Sequence, residues 1–428
     1  MTRDGWLYGW AVGYAAVGSA SLLVPLYALA LGGGPPLVGL LAAAAAFAGV
    51  PGALLWGWLA GRTGRRRPFL LVALAATAAV LASAPLVRAP WHLLIINAAM
   101  WFVVAAAAPV LNLLVVDGVP ESQWSGRIAR LNTYQETGWL AGIALGAVWT
   151  AGATAVVGPE RALRLLFLVL AGLAALGCLT VARLYPDPVR LPEPYFRRAY
   201  RRLSREEWGA GRVLRTIPYA PSRLYWGLVT LRPERLRQFG APLVRYLVAV
   251  TLFSVGFAVF WGPMPAYLIG IGNADGTVFL LFLAANLGSV LAYSRVAKVI
   301  DRVGAGAAQT AALAARVVLF PAVGVIGGLA IGAYAVAALF FLVGATWAVI
   351  AVTTTTLVVR LTPRTGRGEG LGVVTALVGA GTGTGSIGGG LVAGVFGYPA
   401  SFTLAAGTVL LGGILVLVAA PDGRSAPL

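Results

Sequence analysis

Glu136 is the residue of this chain whose type and placement best suit chemistry. It stands in a long apolar run, with Asn132 and Gln135 close by in sequence. An ionisable side chain in such a run is costly to keep there and marks a functional position by default. A carboxyl group can take up and release a proton, which suits a proton carrier. The alternative is a Glu at the mouth of the run, paired with Arg127 or Arg130. Arg316 is the basic residue most clearly inside an apolar run, and its readings are snorkelling or a structural bond rather than solute contact. Further polar and aromatic candidates for solute binding are Asn97, Trp101, Asn112, Asn132, Trp139, Trp261, Asn286, Thr346 and Trp347. The amides could bond a hydroxylated solute. The Trp faces could stack on a sugar ring or hold a lipophilic cation. Each Trp serves equally well as packing or as an interfacial anchor. Trp101, Asn286 and Trp347 lie nearest the middle of their runs.

Other chemistries lack their residues. One Cys (Cys178) and one His (His92) exclude a disulfide framework and leave no zinc or Cys/His catalytic centre. No Gly-x-x-x-x-Gly-Lys-Ser/Thr loop exists for ATP. Gly383-x-Gly385-x-x-Gly388 has the spacing of a dinucleotide fingerprint, but apolar spans surround it and no strand precedes it. No cofactor and no enzymatic activity are expected.

The elements that position these residues follow from composition. Of 428 residues 59% are hydrophobic and 11% charged, and the mean hydropathy is +0.85. A soluble protein this apolar would expose greasy patches over much of its surface, whereas about 20 apolar residues span a bilayer. Twelve spans are predicted, at 6–31, 36–60, 68–88, 91–116, 131–152 and 162–185, then 241–271, 277–300, 307–327, 329–359, 371–395 and 400–420. The first of them reads as a membrane helix rather than a cleaved signal peptide. The net charge of +18 would suggest nucleic acid in a soluble chain. Here the basic residues gather in loops between spans, so topology and anionic lipid headgroups explain them and no nucleic-acid partner is expected.

The spans form two sets that repeat at an offset of 240. Pro25 and Tyr27 match Pro265 and Tyr267; Gly32 matches Gly272; Arg62 and Gly64 match Arg302 and Gly304; Gly126-Arg127 matches Gly366-Arg367. This gives an N-terminal six-helix bundle over 1–185, a linker over 186–240 and a C-terminal six-helix bundle over 241–428. The linker carries twelve Arg against five acidic residues. Between Tyr195 and Glu207 its Arg residues fall on one helical face and Phe196, Tyr200 and Leu203 on another, which suits an amphipathic helix in the headgroup layer. The turns at 61–67, 117–130, 301–306 and 360–370 hold nearly all the other loop Arg, while 32–35, 272–276, 328 and 396–399 hold none. Loops rich in Lys and Arg face the cytoplasm, so both termini are expected there, in the cytoplasmic membrane.

The turn Gly57-Trp58-Leu59-Ala60-Gly61-Arg62-Thr63-Gly64-Arg65-Arg66-Arg67 resembles the loop between helices 2 and 3 of the major facilitator superfamily, with Gly61 in place of the usual Asp. A second copy, Asp301-Arg302-Val303-Gly304, keeps that Asp. Two further turns resemble the family's helix 4–5 loop: Asp117-Gly118-Val119-Pro120-Glu121 with Gly126-Arg127, and Thr362-Pro363 with Gly366-Arg367-Gly368-Glu369. The resemblance covers essentially the whole chain and implies an all-α membrane protein with the major facilitator fold. It implies that helices 1, 4, 7 and 10 line a central cavity. It also implies gating by Gly57, Gly61, Arg62, Gly64, Arg65, Arg127, Asp301, Arg302, Gly304 and Arg367. The loop Asp acts as a latch on a helix N-terminus of the other half, here from Asp301 to the start of helix 5 near Arg127 and Arg130.

In that fifth helix Gly138, Gly142 and Gly146 recur every four residues, which lets two helices approach closely. Ile143 stands where drug-exporting members carry a Pro, and the fourth helix lacks the Arg that proton-coupled exporters often have. The expected function is secondary transport of a small solute by a monomer, with protons or another ion as coupling partner. Aromatic, charge-poor lining helices favour efflux of a lipophilic or amphiphilic molecule. Uptake of a polar solute such as a sugar is the alternative, and a non-transporting receptor on the same scaffold a third reading.

Overall fold

In a bilayer every backbone N–H and C=O must find its partner within the protein, so apolar runs of this length fold as helices. The computed structural model describes residues 5–63, 67–116, 124–185, 239–329, 332–362 and 367–419. In chain order the helices are α1 (Trp6–Ala30), α2 (Pro35–Thr63), α3 (Arg67–Ser83), α4 (His92–Val116), α5 (Trp124–Val157) and α6 (Pro159–Leu184). The second set is α7a (Ala241–Trp261) continued by α7b (Met264–Gly270), α8 (Asp275–Val303), α9 (Ala305–Gly327), α10 (Gly332–Leu361), α11 (Arg367–Phe396) and α12 (Tyr398–Ala419). No strand occurs among the described residues. Counting α7a and α7b as one, eleven of the twelve are long and apolar enough to cross a membrane among those residues. The twelfth, α4, is a 25-residue helix. The Arg-rich stretch of the linker lies outside the described residues.

Several expected boundaries differ by a few residues, and three spans differ in more than that. The third span ends as a helix at Ser83 and closes in a single 3-10 turn, Ala84–Leu86. The fifth helix starts at Trp124, seven residues before the expected 131, because the polar sequence Trp124–Arg130 continues the helix beyond the apolar run. The seventh span is one membrane crossing made of two helices. Gly262-Pro263 interrupts it, Pro263 having no N–H to continue the ladder.

The two sets pack alike. In the first, α1 lies on α5 and α6, α2 on α4, and α3 on α4 and α6. In the second, α7a lies on α11 and α12, α8 on α10, and α9 on α10 and α12. Side chains obey the same repeat. The Tyr27 hydroxyl donates to the Val87 carbonyl at 3.1 Å, and its ring meets Phe167 edge-on at 5.4 Å. The Tyr267 hydroxyl lies 3.0 Å from the Val323 carbonyl, and its ring meets Phe402 edge-on at 5.0 Å. Each tyrosine is followed five residues later by a glycine in the left-handed region, Gly32 (φ 87°) and Gly272 (φ 91°), which turns the chain into the next helix.

The sets meet along two seams, α2 against α11 and α5 against α8. Both are marked near the end of the molecule that carries the glycine turns at Gly32, Gly158, Gly272 and Gly397. In the first seam Gly39 lies on the backbone of Ser386 and Gly390, and Gly390 lies beneath the Pro35 carbonyl. In the second the Phe279 ring sits on Gly146, and Gly276 lies beside Thr150. Adding 240 to Gly39 gives Phe279, and adding 240 to Gly146 gives Ser386. The seams are therefore the same contact made twice, with different side chains.

Candidate functional site

In the first set the candidates are brought together by the close packing of α5 on α1. A Cβ on Gly138 would strike the Ala11 carbonyl, and one on Gly142 the Ala15 carbonyl. Without side chains at those positions the helices pack backbone on backbone. This brings Tyr14 of α1 beside Glu136 and Trp139 of α5. The Tyr14 and Trp139 ring centroids are 5.9 Å apart, Trp101 of α4 lies 6.4 Å from Trp139, and Trp10 stacks on Tyr14 at 5.8 Å. Glu136, Tyr14, Trp101 and Trp139 are each half-buried. Glu136 lies twelve residues into α5, about 18 Å along its axis, and seven residues past Ala129, where the apolar span begins.

No hydrogen bond or ion pair joins Glu136 to Arg127 or Arg130. Arg130 lies over the Tyr134 ring at 5.8 Å, and Tyr134 meets Tyr8 edge-on at 5.0 Å. Asn132 is half-buried on the same helix, one turn before Glu136.

The second set gathers its candidates differently. Trp261, at the end of α7a, packs against Phe282 of α8 at 5.2 Å and Phe340 of α10 at 5.3 Å. Thr346 and Trp347 of α10 lie against Arg316. That guanidinium, 1% exposed, donates from Nε to the Thr346 hydroxyl at 3.0 Å and from a terminal nitrogen to the Val343 carbonyl at 2.9 Å. It lies over Phe257 at 4.1 Å, Trp347 at 5.5 Å and Phe320 at 5.7 Å. Of the two readings of Arg316, its surroundings give the structural bond and not snorkelling.

Two of the asparagines use their N–H groups on carbonyls. Asn97, buried, donates to Leu41 at 2.7 Å and ties α4 to α2. Asn286 donates to Phe282, one turn back on its own helix, at 2.8 Å.

Among the gating candidates, Asp301 and Arg302 are exposed in the last turn of α8, and Gly304 (φ 87°) turns the chain into α9. Arg127 is half-buried in the first turn of α5. Among the described residues no ion pair joins Asp301 to Arg127 or Arg130, and the loop that precedes α5 lies outside them. For Gly57, Gly61, Arg62, Asn112 and Arg367 the description extends to the helix backbone alone, and Gly64 and Arg65 lie outside the described residues. Arg67 donates to the Ala182 carbonyl in the last turn of α6, where a cation suits the negative end of the helix dipole.

Tyr14, Trp10, Phe257, Phe282 and Phe340 were not among the sequence candidates. Three of them, Trp10, Tyr14 and Phe257, lie on α1 and α7a, which are apolar on every side, so no sequence signal singles them out. No group of His, Cys, Asp and Glu that could hold a metal ion occurs among the described residues.

Comparison with known proteins bears on the whole chain. The family model described as Major Facilitator Superfamily matches residues 6–356. Among solved structures, the nucleoside transporter NupG superposes with a TM-score of 0.70 at 12% identity, over 98% of this chain and 100% of that one. The xylose transporter XylE from E. coli, in a partially occluded inward open conformation, superposes with a TM-score of 0.68 at 14% identity, over 99% of each chain. None of the curated proteins matches this sequence.

Proposed function

The chain belongs to the Major Facilitator Superfamily, and from that premise we propose a secondary transporter that exports a lipophilic or amphiphilic solute by alternating access, with Glu136 as the proton carrier. One observation carries this reading. Glu136 is an interior carboxylate with no ion-pair partner among the described residues, three positions before Trp139, whose ring lies 5.9 Å from Tyr14 and 6.4 Å from Trp101. Asn97 is buried with one N–H on the Leu41 carbonyl, and Asn286 places one of its two N–H groups on the Phe282 carbonyl.

Arg-rich turns face the cytoplasm, so the glycine-turn end, where the seams are in contact, is the outer end. The gating residues Gly57, Gly61, Arg62, Gly64, Arg65, Arg127, Asp301, Arg302, Gly304 and Arg367 then act at the cytoplasmic ends of the helices. The segment 186–240 is a cytoplasmic linker whose basic stretch rests on anionic headgroups.

Uptake of a polar solute is the second reading. Its support is the likeness of the fold to structures described as nucleoside and xylose transporters. A substrate series in proteoliposomes separates the two: flux follows lipophilicity under the first and hydroxyl pattern under the second. Glu136→Gln abolishes proton-driven flux and spares counterflow if Glu136 carries the proton. An unchanged pH dependence of flux removes it from that role.

A further inference from the structure

We propose that Asn286 and Ser289 of α8, with the Phe282 ring and the Trp261 ring that packs on it, form a subsite for an uncharged, flat-ringed solute that carries a hydrogen-bonding edge. The inference rests on the transporter reading and specifies what one wall of the site selects.

Placement on the helix is the first argument. Phe282, Asn286 and Ser289 are four and three residues apart, so they share one face of α8, and all three are half-buried. Leu280, Leu287 and Leu291 share another face and are exposed, which suits contact with lipid tails. Leu280 and Leu291 each stand two residues, or about 200° of turn, from Phe282 and Ser289. The polar face is therefore turned away from the lipid. Phe282 on that face meets Trp261 of α7a at 5.2 Å and Phe340 of α10 at 5.8 Å. Asn286 lies eleven residues past the start of α8, about 17 Å along it and near the middle of a bilayer.

The second argument is what these polar groups leave unused. An Asn side chain offers two N–H groups and a carbonyl oxygen. One N–H of Asn286 donates to the Phe282 carbonyl at 2.8 Å, which holds the amide in place. Among the described residues nothing bonds its other N–H or its Oδ1. The Ser289 hydroxyl is likewise without a partner there, whereas Ser294, Thr353 and Thr356 bond back to carbonyls of their own helices. Polar groups at this depth are costly unless something meets them. Next to them Phe282 and Trp261 are each half-buried and tilted 52° to one another, while Phe340 is fully buried. The two open rings offer faces on which a flat solute can pack.

Charge is the third. The charged residues of α8 are Asp275, its first, and Arg295, Lys298, Asp301 and Arg302 in its last nine. Arg245 of α7a and Arg360 of α10 lie near helix ends and are exposed. Arg316 of α9 is sealed at 1% exposure. No charge of these helices stands at the level of Asn286 to attract an ion, so this wall suits a neutral solute.

The test uses the detergent-purified full-length protein and two bicyclic lactams. Carbostyril carries one N–H and one carbonyl on its ring edge; its N-methyl derivative keeps the rings and the carbonyl and lacks the donor. Affinity is read from the rise in melting temperature with ligand concentration. Carbostyril should bind at least about tenfold more tightly, because the N-methyl derivative leaves the Asn286 Oδ1 unpaired. Asn286→Leu should remove that preference. Phe282→Leu keeps the amide and removes a ring face, so it should weaken both lactams and preserve the preference; it also serves if Asn286→Leu fails to fold. Equal affinity of the two lactams, a preference that survives Asn286→Leu, or affinities unchanged in Phe282→Leu overturns the subsite. Failure of both lactams to bind overturns it too, and flux of a lipophilic dye in proteoliposomes of the same protein then decides separately whether the transporter reading stands.

Discussion

Glu136 and Arg316 lie at similar depth in their helices, twelve residues into α5 and eleven into α9, and the two sets treat them in opposite ways. Arg316 is closed in, with two hydrogen bonds and three rings around its guanidinium. Glu136 is half-buried beside rings that do not close over it. Neither has a counterpart at the 240-residue offset, where Ala376 and Ala76 stand. The duplicated frame thus holds one charge that knits helices together and one that no described side chain pairs with.

The largest effect that could break this comparison is on flux. Glu136→Gln should lower proton-driven transport by about a hundredfold or more, in the range expected for loss of a positioned proton-transfer group, without lowering the melting temperature. A drop in melting temperature would make Glu136 structural, like Arg316. Next comes stability. Arg316→Ala takes the guanidinium from Thr346 and from the Val343 carbonyl, which the Thr346 hydroxyl still reaches at 2.8 Å, and opens a cavity among three rings, which should cost about 3 kcal/mol or more in unfolding measurements. If it instead changed solute preference at unchanged stability, Arg316 would belong with the binding residues.

Gly142→Ala would drive a methyl into the Ala15 carbonyl, pushing Tyr14 away from Glu136 at a cost of about 2 kcal/mol. Gly388→Ala, with open space around it, should leave stability unchanged or raise it by about 1 kcal/mol through helix propensity. The smallest change is Thr346→Val, which removes the acceptor for the Arg316 Nε and should cost about 1 kcal/mol. Thermal melts in one detergent measure all of these.

The frame was legible because its signals are coarse. Apolar length marks the spans, Arg clustering marks one end of the molecule, and paired residues such as Tyr27 and Tyr267 reveal the repeat. Glu136 was legible for the same reason, being a charge where charges are costly. Finer features were hidden. Pro25, Pro51 and Pro321 sit inside continuous helices, so the break at Gly262-Pro263 could not be read from a proline alone. Hydropathy ended the fifth span where its helix does not end. Tyr14 and Phe257 lie on helices with no polar face to orient them. The bonds of Asn97 and Asn286 look from sequence like available hydrogen-bonding capacity, and their use depends on which carbonyl the fold brings near.

Rings sit in both seams. In the α5–α8 seam Phe279 of α8 lies on Gly146, and in the α2–α11 seam Phe47 of α2 lies on Gly383, beside the point where Gly39 meets the backbone of Ser386 and Gly390. Each half thus lends one ring to one seam, and parting the helices at either place means lifting a ring off a glycine first.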